Sequence, residues 1–269
     1  MHSINYGVAL MLKTTNTAHG PMVIFEDDLF VSRCLDLYGE WSPGELDVYT
    51  HFIKPGMTVI EVGSHIGTFT VPISKLCRHV YSFEPQRTVF QVLNTNLIHN
   101  NCHNVFTYMA GVGSTSDTIL MKEIDYAHTL TKKGFNSGGV QVDQIKTETN
   151  GYPCPMVRLD DFIPHEIPIG FMKVDAEGMD LEVLQGASLI IRKHKPVLYI
   201  ESNLGDTAAI RTIQHMGYRV FEHRPLGWRP NNFKNNKHQV LKPSKEGIYD
   251  YMLLCLDANR PISTNLKEL

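Results

Sequence analysis

The stretch Thr58–Thr70, TVIEVGSHIGTFT, decides the fold. A β-branched apolar run (Val59, Ile60, Val62) carries one carboxylate, Glu61, and ends in a glycine turn. An apolar, helix-compatible segment follows from Ile66. This pattern predicts a strand, a tight loop over Gly63-Ser64-His65-Ile66-Gly67, and a helix N-terminus. Such a loop exposes backbone N–H groups, and glycine lets a ligand approach the chain closely because it has no Cβ. About twenty residues on, a second strand over His79–Phe83 ends in Glu84, an offset at which an acid can take the two hydroxyls of a ribose.

The loop departs from the dinucleotide fingerprint, which sets glycines close together so that a pyrophosphate can rest on the helix N-terminus. Here Gly63 and Gly67 stand alone, and Glu61 just before the turn would repel a pyrophosphate. A carboxylate there suits a cofactor that carries an ammonium and a sulfonium, and S-adenosylmethionine has both. The plain alternative is a tight turn that packs a helix on a sheet.

At 269 residues the chain is long enough for one α/β domain with a substantial core. Its 25 Lys and Arg against 28 Asp and Glu give no bulk attraction to nucleic acid or to an anionic membrane. No apolar run reaches the length of a membrane span, and the first residues lack the basic-then-apolar layout of a signal peptide. The five cysteines, Cys34, Cys77, Cys102, Cys154 and Cys255, are scattered and form no close pairs. They read as reduced thiols of a cytoplasmic protein, not as a zinc site or a disulfide frame.

Along the chain, Tyr6–Thr14 and Pro21–Val31 predict an N-terminal hairpin, and Pro43-Gly44 leads into a short helix through Leu46, Tyr49 and Phe52. Residues 1–55 are thus a hairpin and helical lead-in to a main domain over 56–269, the two forming one structural unit. Helices over Thr68–Leu76 and Thr88–His99 alternate with strands over His79–Phe83 and Asn104–Val112, a rhythm that calls for a parallel sheet covered on both faces. Gly113–Met156 breaks it, with β-like runs over Thr118–Glu123 and Gly139–Ile145, and reads as a functional insertion. After the turn at Asp160-Asp161, strands over Gly170–Val174, Val197–Ile200, Tyr218–Glu222 and Tyr251–Leu256 enclose helices over Met179–Lys193 and Gly205–Met216. The expectation is a seven-stranded, doubly wound α/β sheet whose last strand is antiparallel.

The second chemical stretch is Met172–Gly178, MKVDAEG. Asp175 and Glu177 follow directly on the fourth strand. In doubly wound sheets ligands sit beyond the carboxyl ends of the strands where strand order reverses, here between strands one and four. Glu61–Gly67 and Asp175–Glu177 should therefore face one crevice. Asp175 or Glu177 capping the next helix is the alternative role.

EVGSHIG, SFEP, LDDF, KVDAEGMDLEVLQGA and a strand ending in Glu201 occur in that order. Together they resemble the FkbM family of S-adenosylmethionine-dependent methyltransferases, from about Tyr38 to Glu201. The resemblance implies a Rossmann-like class I fold and O-methylation of sugar, glycolipid or polyketide-type hydroxyls. The family loop usually has Asn where this chain has His65, and Glu where it has Asp180, which is expected on the helix surface. An aromatic is more usual at Ser137. On this motif Glu61 holds the methionine ammonium, directly or through water. Gly63, Ser64, His65 and Gly67 approach the cofactor, Glu84 takes the ribose, adenine lies near Ala110-Gly111, and Asp175 is a further cofactor-binding residue. Tyr38 and Glu45 are candidates for closing the methionine end.

An alcohol acceptor must lose its proton, which asks for a base within hydrogen-bond reach. The candidates are Asp175, Glu177 and His65, with His128 and His223 behind them. Asp175, Glu201 and Asn203 would also suit a divalent cation such as Mg²⁺, but no residue is assigned to a metal. Trp228 is a candidate for stacking on a sugar, and Arg224 and Arg229 for an acidic acceptor. A small-molecule or glycan acceptor is expected, with self-association left open. The alternatives are a nucleic-acid methyltransferase, which the near-neutral charge disfavours, a nicotinamide oxidoreductase, and a binding module without catalysis.

Overall fold

The computed structural model describes residues 11–121, 136–138, 151–202, 207–240, 251–261 and 264–269. The chain opens with a hairpin, β1 (Leu12–Thr17) and β2 (Gly20–Phe25), followed by α1 (Val31–Tyr38) and α2 (Pro43–Phe52). The first strand runs on to Thr17 and the second stops at Phe25, short of the predicted Val31; the predicted part before residue 11 lies outside the described residues. Cys34 and Leu35 give α1 a buried stripe, and the helix stops at Gly39, whose left-handed φ of 70° suits a glycine. Pro43 starts α2, where the missing N–H costs nothing.

Next come β3 (Thr58–Val62), α3 (Thr70–Ser74), β4 (His79–Phe83), α4 (Arg87–His99) and β5 (Val105–Tyr108). The insertion contributes β6 (Gly111–Val112), β7 (Asp117–Met121) and β8 (Tyr152–Val157), and then α5 (Leu159–Phe162). The remaining elements are β9 (Ile169–Val174), α6 (Asp180–Gly186), α7 (Ser188–His194), β10 (Val197–Glu201), α8 (Thr207–His215), β11 (Tyr218–His223), β12 (Met252–Asp257) and β13 (Lys267–Glu268).

The main sheet has the order β13-β11-β12-β10-β9-β3-β4-β5. Strands β5, β4, β3, β9 and β10 are parallel, and β12 enters antiparallel between β10 and β11. This is the predicted doubly wound sheet, with one addition: β13, two residues long, extends its edge against β11. So short an edge leaves no periodic signal. Strand order reverses between β3 and β9, as expected.

The structure corrects three further readings. The strand predicted over Asn104–Val112 splits, because Gly111–Val112 leaves the main sheet and pairs with Met156–Val157 in a three-stranded sheet. The helix predicted over Met179–Lys193 breaks at Ala187 into α6 and α7. Asp160 explains the break: it accepts the N–H groups of Leu189 and Ile190 at the start of α7. Asp180 is not a surface residue of α6; its Oδ1 accepts the Ala176 N–H at 3.0 Å and closes the loop after β9. The run over Gly139–Ile145 lies outside the described residues.

Period-two alternation sends the sheet's side chains to opposite layers. Ile60, Val62, Met172, Val174, Leu198 and Ile200 pack on the side of α6, α7 and α8. Val59, Phe171, Val197 and Tyr199 pack with Tyr49, Phe69 and Ile73 from α2 and α3. A third cluster joins the hairpin to α4 through Met22, Ile24, Ile66 and Val92. No helix among the described residues is long and apolar enough to cross a membrane.

The lead-in is bonded to the main domain at both ends. The buried Asn96 of α4 accepts the Val23 N–H at 2.6 Å and donates to the carbonyls of Val23 and Ile66. Beyond β11, the segment 226–240 lies along α1: Arg229 grips Glu40 with two bonds of 2.8 and 3.0 Å, and Lys234 donates to Thr15 and to the Asp36 carbonyl. Asn96→Ala would strand one backbone donor and two acceptors at the joint between hairpin and glycine loop. The expected cost is about 2–4 kcal/mol, read as a lower urea midpoint at unchanged slope.

Candidate functional site

A cavity of about 440 Å³ opens at the carboxyl ends of β3, β4 and β9, where strand order reverses. This size suits a cofactor-sized ligand. Gly63, Ser64, His65, Glu84, Gly111, Asp175 and Glu177 all line it, so the two predicted stretches do meet. Glu61 and Gly67 do not line it.

The loop after β3 is held by its neighbours. Gly63 has φ 77°, and a Cβ there would collide with the backbone carbonyl of Asp175. The Gly63 and Ser64 N–H groups donate to the Phe83 carbonyl, which ties the loop to β4. His65 takes a left-handed φ of 49°, a region that His tolerates better than most side chains. Its N–H donates to Glu84 Oε2 at 3.0 Å, while Glu84 Oε1 accepts from Gln86 N at 2.8 Å. Burial pushes the Glu84 pKa up to about 7 against these bonds. Two backbone donors fix the carboxylate on the cavity wall and leave it lone pairs for hydroxyl donors.

Glu61 and Lys173 face each other across the β3–β9 register and are each 1% exposed. Because the strand period is two, both rise from the layer that holds Val59 and Phe171. Among the described residues neither Glu61 carboxylate oxygen has a partner at full hydrogen-bond geometry, although the Thr70 and Ser64 hydroxyls lie near enough to act on it. Burial pushes Glu61 up to about 7, with the Lys173 charge pulling the other way. The Lys173 ammonium bonds Asp175 at 2.8 Å and stands over the Phe69 ring. Burial would lower the Lys173 pKa, but Asp175, Glu61 and Glu45 outweigh it and raise it. Burial likewise opposes ionisation of Asp175, but Lys173, Glu201 and His65 hold it below the usual carboxylate range.

Lys173 was missed as a site residue. Its signal was a lone lysine in the otherwise apolar strand IGFMKV, where an unpaired charge would be untenable. Glu45 also lines the cavity and accepts the Tyr49 hydroxyl at 3.0 Å. Carboxylate oxygens of Asp175, Glu177 and Glu201 lie within 4.8 Å of one another, a spacing that a divalent cation could bridge. Neither Asp175 nor Glu177 caps α6.

Other candidates fall away from the cavity. Tyr38 bonds the His238 carbonyl and packs edge-on to Trp228 at 6.3 Å, so the tryptophan anchors the 226–240 segment. Arg224 and Arg229 are paired with Glu222 and Glu40. The His223 ring bonds the Tyr199 hydroxyl at 2.8 Å and does not line the cavity. His128 and Asn203 lie outside the described residues.

The raised carboxyl groups set a pH dependence. A carboxyl with a higher pKa in the fold than in the unfolded chain holds its proton more tightly when folded. Its stabilising effect is complete below the ordinary value of 4.5 and is lost as pH rises through about 7. Glu61→Gln should remove one such dependence. Between about pH 5 and about pH 8 the wild type should lose roughly 2.5 kcal/mol more unfolding free energy than the variant. Urea titrations across that range measure it.

The model of the FkbM methyltransferase domain matches residues 61–220. Methyltransferase 1 of Beauveria bassiana (strain ARSEF 2860) is 23% identical over 227 residues, covering 77% of this chain and 84% of that protein. Among solved structures, the FkbM methyltransferase of Methylobacillus flagellatus KT aligns at a TM-score of 0.42 and 15% identity over 77% of this chain. The match spans 50% of that longer chain. The Streptococcus mutans protein SMU.1697c, solved in complex with SAH, aligns at 0.43 and 14% identity, covering 79% of this chain and 96% of its own. The matched span starts at Glu61, takes in Glu84, Lys173 and Asp175, and exceeds half of the sequence: the chain belongs to the FkbM methyltransferase family.

Proposed function

We propose that the protein is an S-adenosylmethionine-dependent O-methyltransferase acting on a hydroxyl of a small-molecule or carbohydrate acceptor. The observation that carries the cofactor is Glu84, its carboxylate pinned by the His65 and Gln86 N–H groups on the wall of a cavity behind a glycine loop. A carboxylate so held accepts two neighbouring hydroxyls without having to be ordered first. The residues present fit the cofactor on two further counts. A Cβ at Gly63 would collide with the Asp175 carbonyl and push the loop off its place, and the Asp175 carboxylate, held ionised beside Lys173, makes that end of the site negative.

In this reading Glu84 takes the ribose hydroxyls, and Gly63, Ser64 and His65 contact the cofactor through the loop. Gly67 shapes the turn without lining the cavity. Ala110 and Gly111 flank the adenine, and Glu45 and Asp175 close the amino-acid end. Glu61 acts on the ammonium through an intervening water, since it lies behind the cavity wall. The bound cofactor supplies a methyl group on a sulfonium. The chain's part is to align the acceptor for in-line displacement and to remove its proton. Glu177, at the cavity with φ 48°, is the proposed base. Asp175 is a poorer base because the Lys173 charge lowers its affinity for a proton, and it serves to orient the acceptor.

Calorimetric titration with S-adenosylmethionine tests this reading. The wild type should bind saturably, NAD should not bind, and Glu84→Ala should weaken binding roughly tenfold to a hundredfold, the loss of hydrogen bonds to a charged acceptor. A folded wild type that does not bind S-adenosylmethionine would overturn the reading.

A further inference from the structure

His65 of the loop after β3 and Ser137 of the segment 136–138 touch each other. His65 Nε2 lies 2.7 Å from Ser137 Oγ, and Ser137 Oγ donates to Asp28 Oδ1 at 3.0 Å. Asp28 is 2% exposed, and it also accepts the Ser137 N–H at 2.9 Å and the Ser32 N–H at 2.7 Å. The chain of bonds therefore joins the turn before α1, the segment 136–138 and the loop after β3. Gln86 adds a bond from its side chain to the Ser137 carbonyl at 3.3 Å.

The direction of this chain follows from its chemistry. A carboxylate only accepts, and a hydroxyl has one proton to give. Ser137 gives its proton to Asp28, so its oxygen must accept from His65 Nε2–H. A neutral imidazole with a proton on Nε2 carries its lone pair on Nδ1. His65 lines the cavity, and Nδ1 has no partner among the described residues and is not sealed from solvent. The main-chain N–H of His65 is bonded to Glu84, which anchors the residue's backbone at the carboxylate assigned to the ribose, and both residues line the same cavity.

We propose that Asp28 and Ser137 are positioning residues that hold His65 in its Nε2–H tautomer and so present its Nδ1 lone pair to a ribose hydroxyl of the bound cofactor. This rests on the cofactor reading above. The charged groups around the ring are Asp28 on one side, Asp175 and Lys173 of the β9 end on another, and Glu84 at its own backbone. Burial lowers the His65 pKa and prevails over the opposing pull of Asp28 and Asp175, so the ring is neutral near neutral pH.

Nitrogen NMR of the full chain labelled at its 13 histidines, with His65 assigned by its loss in His65→Asn, reads the tautomer directly. The wild type should show a proton on Nε2, and the Nδ1 resonance should move when S-adenosylhomocysteine is added. Ser137→Ala should lose the tautomer preference. Asp28→Asn, which puts a donor where an acceptor stood, should move the ring towards Nδ1–H. Thermal unfolding checks that each variant is folded.

On acidification through the His65 titration, the wild type should lose roughly three- to tenfold more S-adenosylhomocysteine affinity than His65→Asn, the worth of one hydrogen bond. An Nδ1–H ring in a wild type that binds S-adenosylhomocysteine overturns the proposal through the bond chain. So does an unchanged tautomer in both folded variants, or an Nδ1 resonance that the ligand leaves in place. A folded wild type with the Nε2–H pattern but no binding overturns it through the cofactor reading instead.

Discussion

An ammonium buried on one face of two parallel strands, at the wall of the cavity, is the constraint on which the site depends. Lys173 rises from β9 opposite Glu61 of β3, with Asp175 at 2.8 Å and Glu45 close enough to act on it. Any one of these charges alone in this layer would be untenable, because desolvation in an apolar layer outweighs any single weak contact. Together they are tolerated, and the strand pair that carries them is the one where the sheet reverses its order. The cavity forms where that order opens a crevice, and the charged group decides which end of it is polar.

The rest of the architecture holds this crevice in shape. Glu84 is fixed from the glycine loop and from its own strand end, and Asn96 bonds the same loop from behind through the Ile66 carbonyl. The loop is therefore clamped on two sides before any ligand arrives. A preorganised loop of this kind loses little freedom on binding, which is how a short run of backbone and one carboxylate can contribute usefully to affinity.

Much of this was legible in the sequence. The run Val59–Gly67, the acid at Glu84 and the pair Asp175 and Glu177 located the cavity, because strand periodicity and glycine geometry are local properties. What was not legible depends on distant partners. Asp160 looks like the start of its own helical turn, yet it caps α7, almost thirty residues on. Gly111–Val112 reads as the end of a strand because both residues are compatible with β5; only pairing with Met156–Val157 removes them. Lys173 reads as a strand residue because its three acidic neighbours come from α2, β3 and the loop after β9. Trp228 reads as a sugar platform because an exposed loop tryptophan and an anchoring one have the same local sequence.

The clasp between the 226–240 segment and α1 has a consequence for how the chain acquires its shape. Glu40 and Arg229 are 189 residues apart, and Tyr38 meets the Val240 N–H across 202. A ribosome releases α1 long before it makes these partners. The hairpin and α1 must therefore wait, with Glu40 and Tyr38 bonded only to water, until the sheet behind them is nearly complete. Contacts of such span slow folding, since the loop between them must be closed before they return any free energy. Elements synthesised well before their partners are thus among the last to be finished.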